Sequence, residues 1–142
     1  DDRVKRLAGK MDRVLVDAPC TGLGTLRRNP DLKWRQSLQG VEEMAVKQAA
    51  ILASAARMVK PGGRLVYATC SILPQENEAI AEAFTAAHAD YAVLDVADVL
   101  EGLKVEQATS LCSAGDANRR YLRLWPHRHG TDGFFAAVWT RQ

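Results

Sequence analysis

A strand, a helix and a second strand follow one another in the first half of the chain, and this order constrains the fold more than any other feature. Apolar residues fill the centres of residues 13–17 and 64–70, and residues 41–59 carry apolar side chains at helical spacing. Parallel strands need a crossover of this kind, and strands buried on both faces lack strict alternation. The sequence therefore predicts an α/β fold.

The rest of the chain continues this alternation. Residues 76–88 are predicted to form a second helix, and residues 91–96 are a candidate short strand. Residues 97–118 lack periodicity, so we expect a long, partly irregular connection there. Residues 121–125 and 134–140 are predicted strands with too few residues between them for a crossover helix, so they should pair antiparallel. The expected sheet is mostly parallel and closes with an antiparallel hairpin.

The composition excludes several classes of protein. Of 142 residues, 47% are hydrophobic and 25% are charged, which is typical of a globular domain and not of a disordered chain. The three cysteines lack Cys-x-x-Cys spacing, so neither a disulfide scaffold nor a metal site is expected. No apolar run approaches the roughly 18–20 residues that a membrane-spanning helix needs, and the first residues do not resemble a signal peptide. We therefore expect a cytoplasmic protein without a membrane partner. A net charge of +2 is too small to indicate nucleic acid by itself.

Three side chains able to do chemistry follow the first two predicted strands. Asp17 and Cys20 come at the carboxyl end of one strand, and Cys70 comes at the carboxyl end of the other. Functional groups of parallel sheets gather at these ends, and neighbouring strands lie about 4.8 Å apart. If the two strands are neighbours, the three side chains converge on one crevice. Cys112, in the irregular connection, is expected to be a buried apolar side chain.

Two thiols and a carboxylate suit few reactions. A dithiol redox pair would be expected to have Cys-x-x-Cys spacing, and a cysteine hydrolase would need a base, whereas His127 and His129 lie far along the chain. Methylation of cytosine at carbon 5 uses all three groups. A thiolate adds to carbon 6 and makes carbon 5 nucleophilic, a second base removes the proton from carbon 5, and an acidic group stabilises the charge on the base.

Positive charges surround a tryptophan shortly after Cys20. This basic segment consists of Arg27, Arg28, Lys33, Trp34 and Arg35. It is either a solvated loop or a phosphate-binding segment with a stacking indole, and a neighbouring base-modifying crevice favours RNA binding. A target cytosine has to leave its stack to reach a thiol, so the expected substrate is single-stranded or looped RNA.

Four motifs resemble those of the Sun/Nop family of RNA (cytosine-5) methyltransferases, and most of all its bacterial small-subunit ribosomal RNA methyltransferase B type. They are Asp17-Ala-Pro-Cys20-Thr-Gly-Leu-Gly, Arg28-Asn-Pro-Asp-Leu-Lys-Trp34, Tyr67-Ala-Thr-Cys70-Ser-Ile-Leu-Pro-Gln-Glu-Asn-Glu78 and Asp132-Gly-Phe-Phe-Ala136. The resemblance covers residues 11–90 and 119–141. It implies a class I, Rossmann-like fold that uses S-adenosylmethionine to methylate RNA, ribosomal rather than transfer RNA.

The resemblance also implies a role for each residue of the crevice. Cys70 would attack carbon 6 of the cytosine, Cys20 would help to release the methylated product, and Asp17 would lie between the cofactor and the target base. The family's glycine-rich cofactor loop would precede the first residue of this chain. Residues 1–142 are therefore expected to be a single partial catalytic domain that lacks the N-terminal cofactor-loop half.

Two other hypotheses stay open. One is an RNA-binding remnant that keeps the basic segment and no longer catalyses. The other is a Rossmann-like dehydrogenase with structural cysteines, but Gly22-Leu-Gly24 is too short for a dinucleotide fingerprint and is predicted to be an ordinary flexible loop. Residues 75–78 are expected to open the second helix with acidic side chains, and a supporting role at the site is the alternative, since this helix start faces the same crevice. The strand at residues 13–17 should have an open edge, which favours self-association.

Overall fold

A mixed sheet of five strands organises the part of the chain that the structure, a computed structural model, describes, namely residues 2–113 and 121–142. The strands are β1 (Met11–Asp17), β2 (Val59–Thr69), β3 (Tyr91–Leu94), β4 (Leu122–Leu124) and β5 (Phe134–Arg141). β1 pairs in parallel with β2, whereas β5 pairs antiparallel with β2, β3 and β4. Four of these strands therefore run in one direction, and β5 runs in the opposite direction. The predicted α/β fold, with mostly parallel strand directions and a closing hairpin of β4 and β5, is confirmed.

β5 lies between β2 and β3, in the order β1-β2-β5-β3. β2 pairs with residues 135–140 along one edge of β5. The other edge is shared by β4, which pairs with residues 134–136, and β3, which pairs with residues 138–141. This insertion of the last strand was not predicted from the sequence.

The helices pack around this sheet. They are α1 (Asp2–Arg6), α2 (Leu32–Arg35), α3 (Leu38–Ala56), α4 (Glu78–Ala87), α5 (Val96–Gly102) and α6 (Pro126–His129), with 3₁₀ turns at Leu23–Thr25 and Ala108–Leu111. α3 begins earlier than predicted because the Ser37 hydroxyl accepts a hydrogen bond from the Gly40 N–H at 3.0 Å, as an N-cap does. α3 also ends earlier, since Val59 already belongs to β2.

The prediction of an irregular connection over residues 97–118 is wrong in its first part. Val96–Gly102 form α5, and the Asp95 carboxylate caps that helix by accepting a hydrogen bond from the Ala97 N–H at 2.9 Å. Seven residues make only two helical turns, too few for a clear period in the sequence. The end of the predicted connection, residues 114–118, lies outside the described residues.

The core lies on both faces of the two central strands. Leu65 and Tyr67 of β2 and Phe135 and Trp139 of β5 are fully buried on one face. On the other face, Val138 of β5 packs in a second buried cluster with residues of α5. β1 forms one end of the sheet among the described residues, and its Leu15 is 68% exposed. The expected open edge is therefore present, while self-association stays a prediction. Within the described ranges, no helix has the length and apolar character required to cross a membrane.

Candidate active site

The carboxyl ends of β1 and β2 bring two cysteines into contact. Asp17 is in register with Ala68, and the Ala18 N–H donates to the Ala68 carbonyl at 2.9 Å, so the two strands end side by side. The loops that follow place the sulfurs of Cys20 and Cys70 3.3 Å apart, within hydrogen-bond distance. Both cysteines are half-buried. A separation of fifty positions in sequence thus becomes direct contact, as neighbouring parallel strands predict.

The Cys20 thiol holds its proton tightly. Burial raises the pKa of Cys20 to about 12, and the hydrogen bond and charge of Cys70 act in the same direction. Two adjacent sulfurs cannot both ionise without repulsion, so ionisation of Cys20 is disfavoured while it contacts Cys70. Cys20 is therefore a poor nucleophile in this arrangement, because only a thiolate attacks carbon effectively.

Asp17 lies at the same edge of the sheet. Side chains alternate along β1, with Val14 and Val16 buried and the last residue, Asp17, exposed. Its carboxylate therefore remains accessible to a ligand beside Cys20, three residues further on. The cofactor-proximal role that the resemblance implies for Asp17 stays a prediction.

The loop after β1 is held against the loop after β2 through glycine. The Gly24 N–H donates to the Cys70 carbonyl at 2.9 Å, and the Gly133 N–H donates to the Gly24 carbonyl at 2.7 Å. A Cβ atom on Gly24 would collide with the Gly133 carbonyl and lie 2.5 Å from the Cys70 carbonyl oxygen. Gly24 is buried, so the prediction that Gly22-Leu-Gly24 is an ordinary flexible loop is wrong. Close approach of three backbone segments is the physical reason for glycine at this position.

A buried carboxyl group lies behind the cysteines. Glu76 is 0% exposed and accepts hydrogen bonds from the Thr21 N–H and hydroxyl, both at 2.8 Å, from the Gln48 amide at 3.2 Å, and from the Ser71 hydroxyl. The expectation that residues 75–78 open the second helix with acidic side chains is wrong for this residue, whereas the alternative, a supporting role at the site, stays a prediction. α4 begins only at Glu78, and Glu76 lies in the turn before it, where its carboxyl group contacts the loops that follow β1 and β2.

A buried arginine supports the loop that follows Cys70. Arg123 of β4 is 4% exposed, donates to the Ile72 carbonyl at 3.0 Å and lies 3.6 Å from the Glu78 carboxylate. Burial lowers the pKa of its guanidinium, while the charge of Glu78 acts in the opposite direction. The sequence did not point to Arg123, because it acts through contacts that join distant parts of the chain.

The structure leaves the basic segment on the surface, with part of its charge paired. Arg28 forms an ion pair with Asp132 at 2.5 Å, and Arg35 forms one with Asp31 at 2.5 Å. Trp34 is 80% exposed. The remaining two cations are also engaged: Arg27 donates to the Gly130 carbonyl at 2.7 Å, and the Lys33 ammonium lies 4.8 Å from the centre of the Trp34 ring.

These pairs do not prevent the basic segment from binding a ligand. Exposed ion pairs contribute little free energy, so a phosphate can replace the acidic partner at small cost. The hydrogen bond and charge of Asp132 raise the pKa of Arg28, and the charge of Cys70 adds a smaller contribution in the same direction.

Neither histidine near the hairpin lies in the cysteine site. His129 accepts a hydrogen bond from the Trp125 N–H at 2.9 Å, and its other ring nitrogen lies 2.8 Å from the Ser110 carbonyl. His127 is exposed on α6. Cys112 is buried, as predicted, and its thiol donates to the Ala108 carbonyl at 3.4 Å.

Comparison with known proteins places this arrangement in a family. A sequence profile described as 16S rRNA methyltransferase RsmB/F matches residues 2–140. The chain belongs to the RsmB/F family. This membership contradicts the dehydrogenase hypothesis and confirms the resemblance to the Sun/Nop methyltransferases.

Relatives from bacteria are named for the same family. The chain is 47% identical over 126 residues to a ribosomal RNA small subunit methyltransferase B from Sodalis glossinidius. The aligned residues cover 89% of this chain and 25% of that protein. It is 42% identical over 128 residues to the protein of the same name from Shewanella oneidensis, with 90% of this chain and 26% of that protein covered. The chain thus spans about a quarter of the length of these curated relatives.

A solved structure of a related protein has the same fold. NSun6 from Pyrococcus horikoshii, crystallised with SFG, is 29% identical and superimposes with a TM-score of 0.75, covering 98% of this chain and 32% of that one. The RsmB/F family and this neighbour together confirm the Rossmann-like methyltransferase fold that the motifs imply.

Proposed function

We propose that this chain carries the two reactive cysteines of an S-adenosylmethionine-dependent methyltransferase that modifies carbon 5 of a cytosine in RNA. The contact between the Cys20 and Cys70 sulfurs, 3.3 Å apart at the ends of neighbouring strands, carries the proposal. It provides two thiols at one place, and the chemistry needs one as a nucleophile and one as a base. Ribosomal RNA is the substrate that the names of the bacterial relatives favour, and a cytoplasmic location follows from that substrate.

Cys70 is assigned as the nucleophile. Its sulfur adds to carbon 6 of the cytosine, and the electrons of the carbon 5–carbon 6 double bond move to carbon 5, which then takes up a methyl group. The raised pKa of Cys20 supports this assignment, because a thiol that keeps its proton is a poor nucleophile.

Cys20 is assigned as the base that completes the reaction. Once the Cys70 sulfur is bonded to carbon 6, it carries no charge, so its contribution to the high pKa of Cys20 is lost. Cys20 then ionises more readily, losing its proton to water, and removes the proton from carbon 5. The double bond reforms and the bond from carbon 6 to Cys70 breaks, which releases the methylated base and restores the Cys70 thiolate.

S-adenosylmethionine is the proposed cofactor of this site. SFG, bound in the neighbouring NSun6 structure, is an analogue of S-adenosylmethionine. In this chain, Asp17 presents an exposed carboxylate at the end of β1, where it would hold the cofactor near the target base. The cofactor, when bound, supplies the methyl group. We propose that residues 1–142 are part of the catalytic domain and that the other part supplies the glycine-rich cofactor loop.

The basic segment is proposed to hold the RNA. Its exposed Trp34 offers a surface on which an unstacked base can lie. Arg28 pairs with Asp132, whose neighbour Gly133 contacts Gly24 of the loop that is bonded to the Cys70 carbonyl. A single-stranded or looped target suits this arrangement, since the cytosine must leave its stack to reach the thiol.

RNA that contains 5-fluorocytosine tests the proposal. Fluorine replaces the hydrogen on carbon 5 and cannot leave as a proton, so the last step is blocked. The full-length protein that carries this chain should therefore become covalently trapped on the RNA. Cys70→Ala should abolish the adduct and turnover, and an undiminished adduct in that variant would contradict the assignment of the nucleophile.

Cys20→Ala distinguishes the two thiols. This variant should still attack through Cys70 but release product slowly, so adducts should accumulate on ordinary RNA. If folded Cys20→Ala forms no adduct, the roles of the two cysteines are reversed. Binding of RNA without any adduct in the unmodified protein would favour the alternative function, an RNA-binding remnant without catalysis.

A further inference from the structure

Glu76 is a buried carboxyl group for which the proposed chemistry has no direct task. Its Oε1 atom accepts hydrogen bonds from the Thr21 N–H and the Gln48 amide, and its Oε2 atom accepts hydrogen bonds from the Thr21 and Ser71 hydroxyls. Every one of these partners is a donor. A buried carboxylate needs such donors, because an unsatisfied charge in the interior is strongly destabilising.

The donors come from the segments that carry the two cysteines. Thr21 directly follows Cys20, and Ser71 directly follows Cys70. Gln48 of α3 also donates to the Pro19 carbonyl at 2.9 Å, on the other side of Cys20. The carboxylate of Glu76 thus joins the loop after β1, the loop after β2 and α3 at one point.

We propose that Glu76 is a positioning residue that sets the distance between the Cys20 and Cys70 sulfurs through Thr21 and Ser71. The backbone bond from the Gly24 N–H to the Cys70 carbonyl joins the same loops, but in the first loop it lies beyond Cys20. Glu76 acts through the residues directly after both cysteines. The catalytic consequence of this inference rests on the proposed function, whereas the placement of the two sulfurs does not.

Glu76→Gln is the test, because it keeps the shape of the side chain and replaces one acceptor oxygen with a donor. The control is Tyr91→Phe, which also removes a buried hydrogen bond, from the Tyr91 hydroxyl to the Ala56 carbonyl at 2.6 Å, away from the cysteines. Both variants are made in the full-length protein, and circular dichroism checks that they fold.

The first measurement is independent of methylation. The Cys20–Cys70 disulfide is equilibrated with reduced and oxidised glutathione, which act as the reductant and the oxidant. We expect Glu76→Gln to lower the equilibrium constant for disulfide formation at least tenfold, because the two sulfurs are held less firmly at bonding distance. This change corresponds to a reduction potential of the disulfide that is about 30 mV less negative. Tyr91→Phe should leave this constant unchanged.

The second measurement is the single-turnover rate constant of adduct formation on RNA containing 5-fluorocytosine. Loss of folded protein lowers the amplitude and not the rate constant, so a merely structural role would leave the rate constant unchanged. We expect Glu76→Gln to lower it at least tenfold with RNA affinity retained. Thr21→Val, which removes one donor, should change both measurements in the same direction by less, and it decides the question if Glu76→Gln does not fold.

An unchanged disulfide equilibrium in the folded variant overturns the positioning role, even if the adduct rate falls. A shifted equilibrium with an unchanged adduct rate in Glu76→Gln overturns the catalytic consequence. If the unmodified protein forms no adduct while the equilibrium shifts as expected, the proposed function fails and the positioning of the two sulfurs by Glu76 stands.

Discussion

Replacing Gly24 with alanine should separate the two loops that carry the cysteines. A Cβ atom at this position would collide with the Gly133 carbonyl and lie 2.5 Å from the Cys70 carbonyl oxygen. Both obstacles are backbone atoms, which cannot rotate away as the end of a flexible side chain can. The backbone of Gly24 does not lie in the left-handed region, so the effect is one of space alone.

The expected loss of stability follows from this crowding. Overpacking of a filled site costs about 1–3 kcal/mol. Each of the two backbone hydrogen bonds of Gly24, at 2.9 and 2.7 Å, contributes about 0.5–1.5 kcal/mol and is strained or broken when the segments move apart. We therefore expect Gly24→Ala to lower the free energy of unfolding by about 2–6 kcal/mol. One of these two bonds orients the Cys70 carbonyl, so the folded fraction should form covalent adducts more slowly.

Urea unfolding of the purified protein measures this loss, and the chain offers a matched control. Gly102 lies at the end of α5, and a Cβ atom there would meet nothing within 4 Å. Gly102→Ala should be neutral or stabilising by up to about 1 kcal/mol, since alanine favours a helix. A Gly24→Ala protein within about 0.5 kcal/mol of the unmodified one, the usual range of surface substitutions, would refute the steric reasoning.

Three further predictions concern RNA, pH and the sheet edge. Neutralising the four cations of the basic segment should weaken RNA binding and make it less dependent on salt. The slope of log K against log salt concentration should fall by up to about 0.7 for each phosphate contact that is lost. Unchanged affinity and slope would make the segment an ordinary solvated loop. Cys70→Ala should lower the pKa of Cys20 from about 12, because the hydrogen bond and charge of Cys70 are removed while burial remains. Iodoacetamide should then alkylate Cys20 at lower pH than in the unmodified protein, and identical pH profiles would contradict the coupling of the two thiols. The purified 142-residue chain should self-associate through the open edge of β1 and bind S-adenosylmethionine weakly. Tight, stoichiometric binding by a monomer in calorimetry would show that the cofactor site lies elsewhere.

Local patterns were sufficient for the elements that frame the site. Apolar runs and helical spacing predicted β1, α3 and β2, because these elements are long and their side chains repeat with a clear period. A strand–helix–strand crossover makes the first and second strands parallel, so both carboxyl ends lie at one edge of the sheet. The meeting of Cys20 with Cys70 could therefore be predicted from sequence, and their motifs resembled those of the RsmB/F family.

Shorter and non-local features were beyond the reach of such patterns. α5 is too short to show a period, and the insertion of β5 between β2 and β3 depends on pairing between segments far apart in the chain. The spacing of apolar residues in a strand does not show which other strand it will pair with, since the backbone groups that pair are the same in every strand.

The sequence by itself determined the two thiols, their strand ends and the class of fold, because these depend on local periodicity and on the handedness of one crossover. Only the tertiary structure decided how the thiols are held. It buried Glu76 among donors from three segments, wedged Gly24 between two carbonyls, and paired Arg28 with Asp132 from the far end of the chain. Each of these interactions forms only when separate loops meet, and its free energy depends on partners that no neighbouring residue specifies.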